Sequence, residues 1–177
     1  MSVTFATPTL ETERLILRGF KASDADVFVA AFAEQRMEYA GGPMTPKLAW
    51  RHFAANIGHW VARGFGMFIV TRKDDDTPLG IVGHWFPHSW AEREVGWVLF
   101  DADHEGKGIA REAATACIAH AFDTLGWDTA VSYIAPENAA SIALAERLGA
   151  TLDPDAPQPE TTYPILIYRH PNPMVAT

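Results

Sequence analysis

The stretch EGKGIA, residues 105–110, decides how this chain is read. It lies between the apolar run EVGWVLF (94–100) and the alanine-rich run REAATACIAHAF (111–122), so two glycines flank a lysine where a strand meets a helix. Glycine has no Cβ and lets backbone N–H groups face a ligand closely. The first turn of a helix adds unpaired N–H groups and the positive end of its dipole. Such a place suits an anion, a pyrophosphate in particular, and Lys107 and Arg111 add positive charge. The local pattern equally allows a plain tight turn. Neither nucleotide motif fits: Lys107 is followed by glycine rather than Ser or Thr, and Arg111 stands where GxGxxG needs its last glycine.

Working outward, the patterns predict a strand at RLILRGF (14–20) and a helix at 23–34 with Ser23 as its cap. A second helix is predicted over 45–64, with Thr45 as N-cap, Pro46 in the first turn and Gly64 at the end. Three strands follow at 64–73, 78–86 and 93–100, the first two joined as a hairpin through the acidic DDDT turn. The helix at 108–126 precedes a strand at 128–135, a helix at 137–149, a short strand at 150–152, a proline-rich loop at 153–164 and a last strand at 165–170. Antiparallel hairpins come first and a crossover later, which excludes a doubly wound sheet alternating from the start.

The composition fits one domain spanning 1–177, since 48% of the 177 residues are hydrophobic and 20% charged. A net charge of −8 argues against nucleic-acid binding, which needs a basic surface. The single cysteine, Cys117, rules out an internal disulfide and is read as a small core residue. With no signal-peptide pattern and no long apolar span, the expectation is a cytoplasmic protein without membrane association.

The segment EVGWVLFDADHEGKGIAREA resembles the acetyl-CoA-binding segment of the GNAT superfamily of N-acetyltransferases. That pattern is Gln or Arg, two residues, Gly, one residue, then Gly or Ala. Gly108 and Ala110 match it, whereas Glu105 stands where Gln or Arg is usual. LETERLILRGF with SDAD, and later ENAASIALAERLGA, resemble the branch that includes ribosomal-protein N-terminal (serine/alanine) acetyltransferases; together the likeness covers residues 9–152.

The resemblance implies an α/β (mixed α+β) fold: a twisted, mostly antiparallel sheet with a splayed parallel pair, flanked by about four helices. It implies acetyl-CoA as co-substrate without a metal, and acetyl transfer by direct attack of a primary amine, from a small molecule or a peptide N-terminus. The pantetheine arm would pair with the backbone of Val98, Leu99 and Phe100, and the pyrophosphate would meet Gly106, Lys107, Gly108, Ile109, Ala110 and Arg111. Asn138 would bind the cofactor or cap its helix. Glu94 takes the place of the general base, with Glu92 as its neighbour and competitor, and Ser141 that of an acid for the leaving thiolate. Many relatives use a tyrosine where this chain has Ala145. That gap and Glu105 motivate an alternative, a non-catalytic acyl-CoA-binding sensor or interaction module.

His84 and His88 lack the partners a zinc site needs. With Trp85 and Trp90 they could line an acceptor pocket, and the helix 45–64 could form one wall. The aromatic C-terminal strand could support a homodimer.

Overall fold

The structure is a computed structural model that describes residues 6–173. The strands are β1 (Leu10–Glu11), β2 (Leu15–Arg18), β3 (Met67–Arg72), β4 (Gly80–Trp85), β5 (Glu94–Leu99), β6 (Val131–Ile134), β7 (Thr151–Leu152) and β8 (Leu166–Arg169). The α-helices are α1 (Ala25–Phe32), α2 (Pro46–Arg63), α3 (Ile109–Ala119) and α4 (Ala139–Arg147). All eight strands form one sheet in the order β1-β2-β3-β4-β5-β6-β8-β7. Every pairing is antiparallel except β5–β6.

That parallel pair is bridged at a single register position, Glu94 opposite Val131, and then opens toward its C-terminal ends. On its other edge β5 stays paired with β4 from Trp85–Glu94 to Gly80–Leu99. Gly80 permits that close approach: a Cβ there would lie 2.2 Å from the Val98 carbonyl oxygen.

Strand alternation sorts the core into two layers. Phe68, Val70, Val82 and Val95 face α3 through Ile109, Ala113, Ala114 and Cys117. Met67, Ile69, Ile81 and Phe100 face α1 and α2 through Phe28, Phe32, Ala49 and Phe53. A smaller cluster seats α4 on β6 and β8 through Ile134, Ala145 and Tyr168.

Helix α2 begins and ends as its residues dictate. Thr45 Oγ1 accepts from Leu48 N–H, Pro46 opens the helix, and Gly64 closes it in the left-handed region at φ 76°. Helix α1 differs from the expectation. Ser23 does not cap it and sits inside a 3₁₀ turn, Ala22–Asp24. Asp24 fixes this corner instead, accepting from Lys21 N–H at 2.7 Å and from both terminal nitrogens of Arg18 at 2.8 and 2.9 Å. Helix α3 also departs from regularity, because its last turn, His120–Thr124, is a π turn closed by Leu125 N–H on His120 O. His120 and Phe122 are buried there. The two-residue strand β1 falls outside the predicted elements.

Candidate active site

Both parallel strands deliver helix N-termini to one end of the sheet. Residues 100–108 lead from β5 to α3, and 135–138 lead from β6 to α4, so the two helices begin on either side of the opened gap. Ligands commonly meet α/β sheets at such carboxyl ends.

On the α3 side, Gly106 and Gly108 both adopt left-handed backbone, φ 69° and 77°, which only glycine enters freely. Gly108 is the N-cap and has no side chain to satisfy the first turn. The first helical bond runs from Glu112 N–H to Gly108 O. The N–H groups of Ile109, Ala110 and Arg111 therefore lack intrahelical acceptors. Lys107 and Arg111 are exposed, whereas the Ile109 side chain is buried under the helix. The turn thus has the form of an anion cradle.

Two glutamates lie at this cradle, and each is tied to an arginine. Glu112 accepts from Arg14 Nε at 2.6 Å and from Thr12 Oγ1 at 2.6 Å, while Arg14 Nη1 also donates to Lys107 O at 3.1 Å. Glu105 pairs with Arg36 Nη2. The other terminal nitrogen of Arg36 donates to Leu99 O.

Across the gap, Asn138 caps α4 by accepting from Ser141 N–H at 3.1 Å, which leaves its amide N–H₂ to donate. Ser141 Oγ accepts from Trp97 Nε1–H at 3.2 Å, so the hydroxyl keeps its own proton. The Trp97 indole thereby joins the two walls of the gap. Ala145 is fully buried in the α4 core and has no ionisable group to offer.

The backbone of β5 shows which groups face the gap. Phe100 N–H donates to Leu79 O at 2.9 Å, on the β4 side. Val98 pairs with Ile81 two residues earlier, and its carbonyl meets Gly80, so it shares that orientation. Leu99 and Trp97 therefore turn their N–H and C=O toward β6, as Val95 does in accepting from Ser132 Oγ at 2.6 Å.

Glu94 lies at the closed end of the gap, on the α2 face of the sheet beside Trp85. Burial pushes its carboxyl up to about 7, against the opposing pull of hydrogen bonds from the Trp90 indole and the Tyr133 backbone. Trp90 Nε1 donates to Glu94 Oε2 at 2.6 Å. Glu92 is differently placed, because Arg169 grips both its oxygens at 2.8 and 3.0 Å and also binds Asp153. Both oxygens of Glu92 are thus held in an ion-pair fork, which leaves Glu94 as the stronger candidate on geometry.

The histidine pair separates. His84 is fully buried on the α3 face, donates from Nε2 to Cys117 O at 2.9 Å, and is held by burial at about 4. It cannot line an acceptor pocket on the other face. Trp85 does point toward α2 and stacks on His59 with ring centroids 4.5 Å apart. The neutral His59 ring is locked between Phe65 O and Phe86 N–H, at 2.8 and 2.9 Å. Among the described residues no group of three or more His, Cys, Asp or Glu could hold a metal ion, and no helix is long and apolar enough to cross a membrane. Burial raises the Cys117 thiol far above its ordinary value, which makes it inert.

A parallel pair that opens after one bridge, with a glycine turn feeding a helix at the open end, defines an acetyltransferase-type fold and site. The chain belongs to the GNAT acetyltransferases: the family model for the acetyltransferase (GNAT) domain matches residues 14–151. The solved acetyltransferase of Agrobacterium tumefaciens strain C58 is 36% identical, with TM-score 0.87 over 96% of this chain and 98% of that one. The uncharacterized N-acetyltransferase p20 of Bacillus licheniformis is 30% identical over 144 residues, 79% of this chain and 80% of the relative. The ribosomal L7/L12 N-acetyltransferase RimL, solved with coenzyme A, shares the fold at 19% identity and TM-score 0.72, over 92% of this chain and 97% of that one.

Arg36, Trp97 and Tyr133 were absent from the residues expected at the site, and Trp90 was expected only as a lining residue of the acceptor pocket, not as the partner of Glu94. Trp90 stands four residues before Glu94, a spacing that could have suggested a contact across the β4–β5 connection. Arg36 is 69 positions from Glu105 and carries no local signal.

Proposed function

We propose that this acetyltransferase moves the acetyl group of acetyl-CoA to a primary amine, by direct attack with both substrates bound in the splay between β5 and β6. The observation that carries this reading is the pairing of β5 with β6 at Glu94–Val131 alone, with the glycine turn at the open end and Glu94 at the closed end. The left-handed glycines and the orphaned first-turn N–H groups of α3 fit a pyrophosphate. From there the donor would enter the gap beside Leu99, on the strand that carries Glu94 at its other end.

In this reading the backbone of Trp97 and Leu99 supplies the added-strand hydrogen bonds. Leu99 N–H is also placed to stabilise charge developing on the thioester oxygen. Of the three residues expected to pair with pantetheine, Leu99 is the one whose backbone orientation supports that role. Val98 and Phe100 contribute through the sheet and core, because their polar backbone groups belong to the β4 ladder.

Glu94 takes the proton that the ammonium form of the acceptor must lose. Raised to about 7, it is a competent base near neutrality. Ser141, whose hydroxyl proton is uncommitted toward Trp97, donates to the leaving thiolate, with solvent as the competing source. Asn138 offers its amide N–H₂ to the cofactor from the α4 cap. The acceptor enters from the α2 face, where Trp85, Trp90 and His52 lie. A small-molecule amine and a peptide N-terminus both suit this reading; the latter follows the fold shared with RimL.

The test is thiol release from acetyl-CoA by the purified protein across a panel of amines and N-terminal peptides. Release stimulated at least tenfold by some acceptor is the expected result. Micromolar cofactor binding with no stimulation by any acceptor would favour a binding module instead.

A further inference from the structure

We propose that Arg36 is a positioning residue for the acetyl-CoA pyrophosphate: it offsets the charge of Glu105 and pins the phosphate turn to the end of β5. The inference rests on the proposed use of that turn as the cofactor site.

Glu105 opens the turn immediately before the left-handed Gly106, so an unpaired carboxylate here would face any anion held by the N–H groups beyond it. The guanidinium of Arg36 meets this carboxylate with one terminal nitrogen and the carbonyl of Leu99 with the other. Leu99 ends the splayed strand and turns its backbone into the gap. A single planar fork therefore joins the strand that would pair with the pantetheine arm to the turn that would hold the phosphates. Arginine suits this task because its donors are fixed in one plane.

The pair is not a stability device. Glu105 is 58% exposed, and exposed ion pairs contribute little to folding. Its consequence lies in ligand charge: without Arg36, the turn presents an uncompensated negative charge beside the N–H groups that would hold a phosphate. Arg36 also projects from the 3₁₀ turn Gln35–Ala40 that follows α1. The α1–α2 connection is thus tied to the cofactor turn.

Calorimetric titration with acetyl-CoA, together with steady-state kinetics on the best acceptor, tests the proposal. Arg36→Ala is expected to weaken acetyl-CoA binding about three- to tenfold, the size of one nearby like charge at a solvent-exposed site, with a larger effect on Kd and KM than on kcat. Glu105→Gln placed in the Arg36→Ala background should recover at least half of that loss on a logarithmic scale. Arg36→Lys, which keeps the charge and loses the fork, should fall between wild type and Arg36→Ala. A merely structural arginine would give no recovery from removing Glu105, and that result overturns the charge role. Unchanged affinity in Arg36→Ala overturns the whole inference while leaving the cofactor site standing. Failure of the wild-type protein to bind acetyl-CoA overturns both. Should Arg36→Ala fold poorly by circular dichroism, Arg36→Lys against Arg36→Lys/Glu105→Gln gives the same comparison.

Discussion

At the scale of single residues, Glu94 combines two roles that pull against each other. Its carboxyl titrates near 7 when folded and near 4.5 when exposed, because burial opposes the charged form. Between those values the folded state binds more protons than the unfolded state, so this residue's contribution to stability falls as pH rises. Replacing Glu94 with Gln should therefore stabilise the protein at pH 8, by up to about 3 kcal/mol, and have little effect at pH 4. Urea unfolding at the two values measures it; equal effects at both would show that the carboxyl is not desolvated. Such a cost is in keeping with the base role proposed for Glu94. The candidate base was legible through the family resemblance, which marks the glutamate just before VGW. What counts against Glu92 was not, since its grip by Arg169 joins residues 77 positions apart. Glu105 had the same obscurity: its charge was visible in the sequence and its partner was not.

At the scale of elements, the N-terminus of α3 depends on glycine. Gly108→Ala would place a Cβ in the left-handed region, at a cost of about 1–2 kcal/mol. It would also distort the first-turn N–H groups, and acetyl-CoA affinity is expected to fall at least tenfold by calorimetry. The corner that joins β2 to α1 rests on the buried pair of Arg18 and Asp24, with Asp24 only 2% exposed. Asp24→Ala should cost about 1–3 kcal/mol, read from thermal or urea unfolding, because it removes one of the two carboxylates that Arg18 pairs with and leaves Asp76 alone at 2.6 Å. Helix α2 was fully legible, since its cap, its proline and its terminal glycine all lie within its own sequence. The start of α1 was not. Ser23 is a good local cap, but the nearby Asp24 has a partner on β2, and that tertiary contact determines where the turn forms. The end of α3 was obscured in a similar way, because the burial of His120 and Phe122 in the core accompanies a π turn that helical periodicity cannot show.

At the scale of the whole molecule, the splay of the parallel pair organises function and the buried histidines govern response to acid. His84 and His170 are held near 4 by burial, below the 6.5 of the exposed ring. The unfolded state takes up protons first, so their contribution is complete above 6.5 and is lost as pH falls toward 4. Each is worth up to about 3 kcal/mol, and the two together outweigh the opposite trend of Glu94. Stability should thus decline steeply between pH 6.5 and 4 in a denaturant series, and a flat profile there would refute the burial of these rings. Apart from β1, the order of elements along the chain and the antiparallel-then-crossover plan could be anticipated from the sequence. The single bridge at Glu94–Val131 could be expected only through the family resemblance, because nothing in either strand's composition marks where pairing stops. The most direct test of Glu94 as base is the pH dependence of acetyl-CoA-dependent thiol release with the best acceptor, measured for wild type and Glu94→Gln. Wild-type kcat/KM is expected to fall below a break at about 7, with the variant about a hundredfold slower and lacking that break. Matching rates for the two proteins from pH 6 to 9 would contradict it.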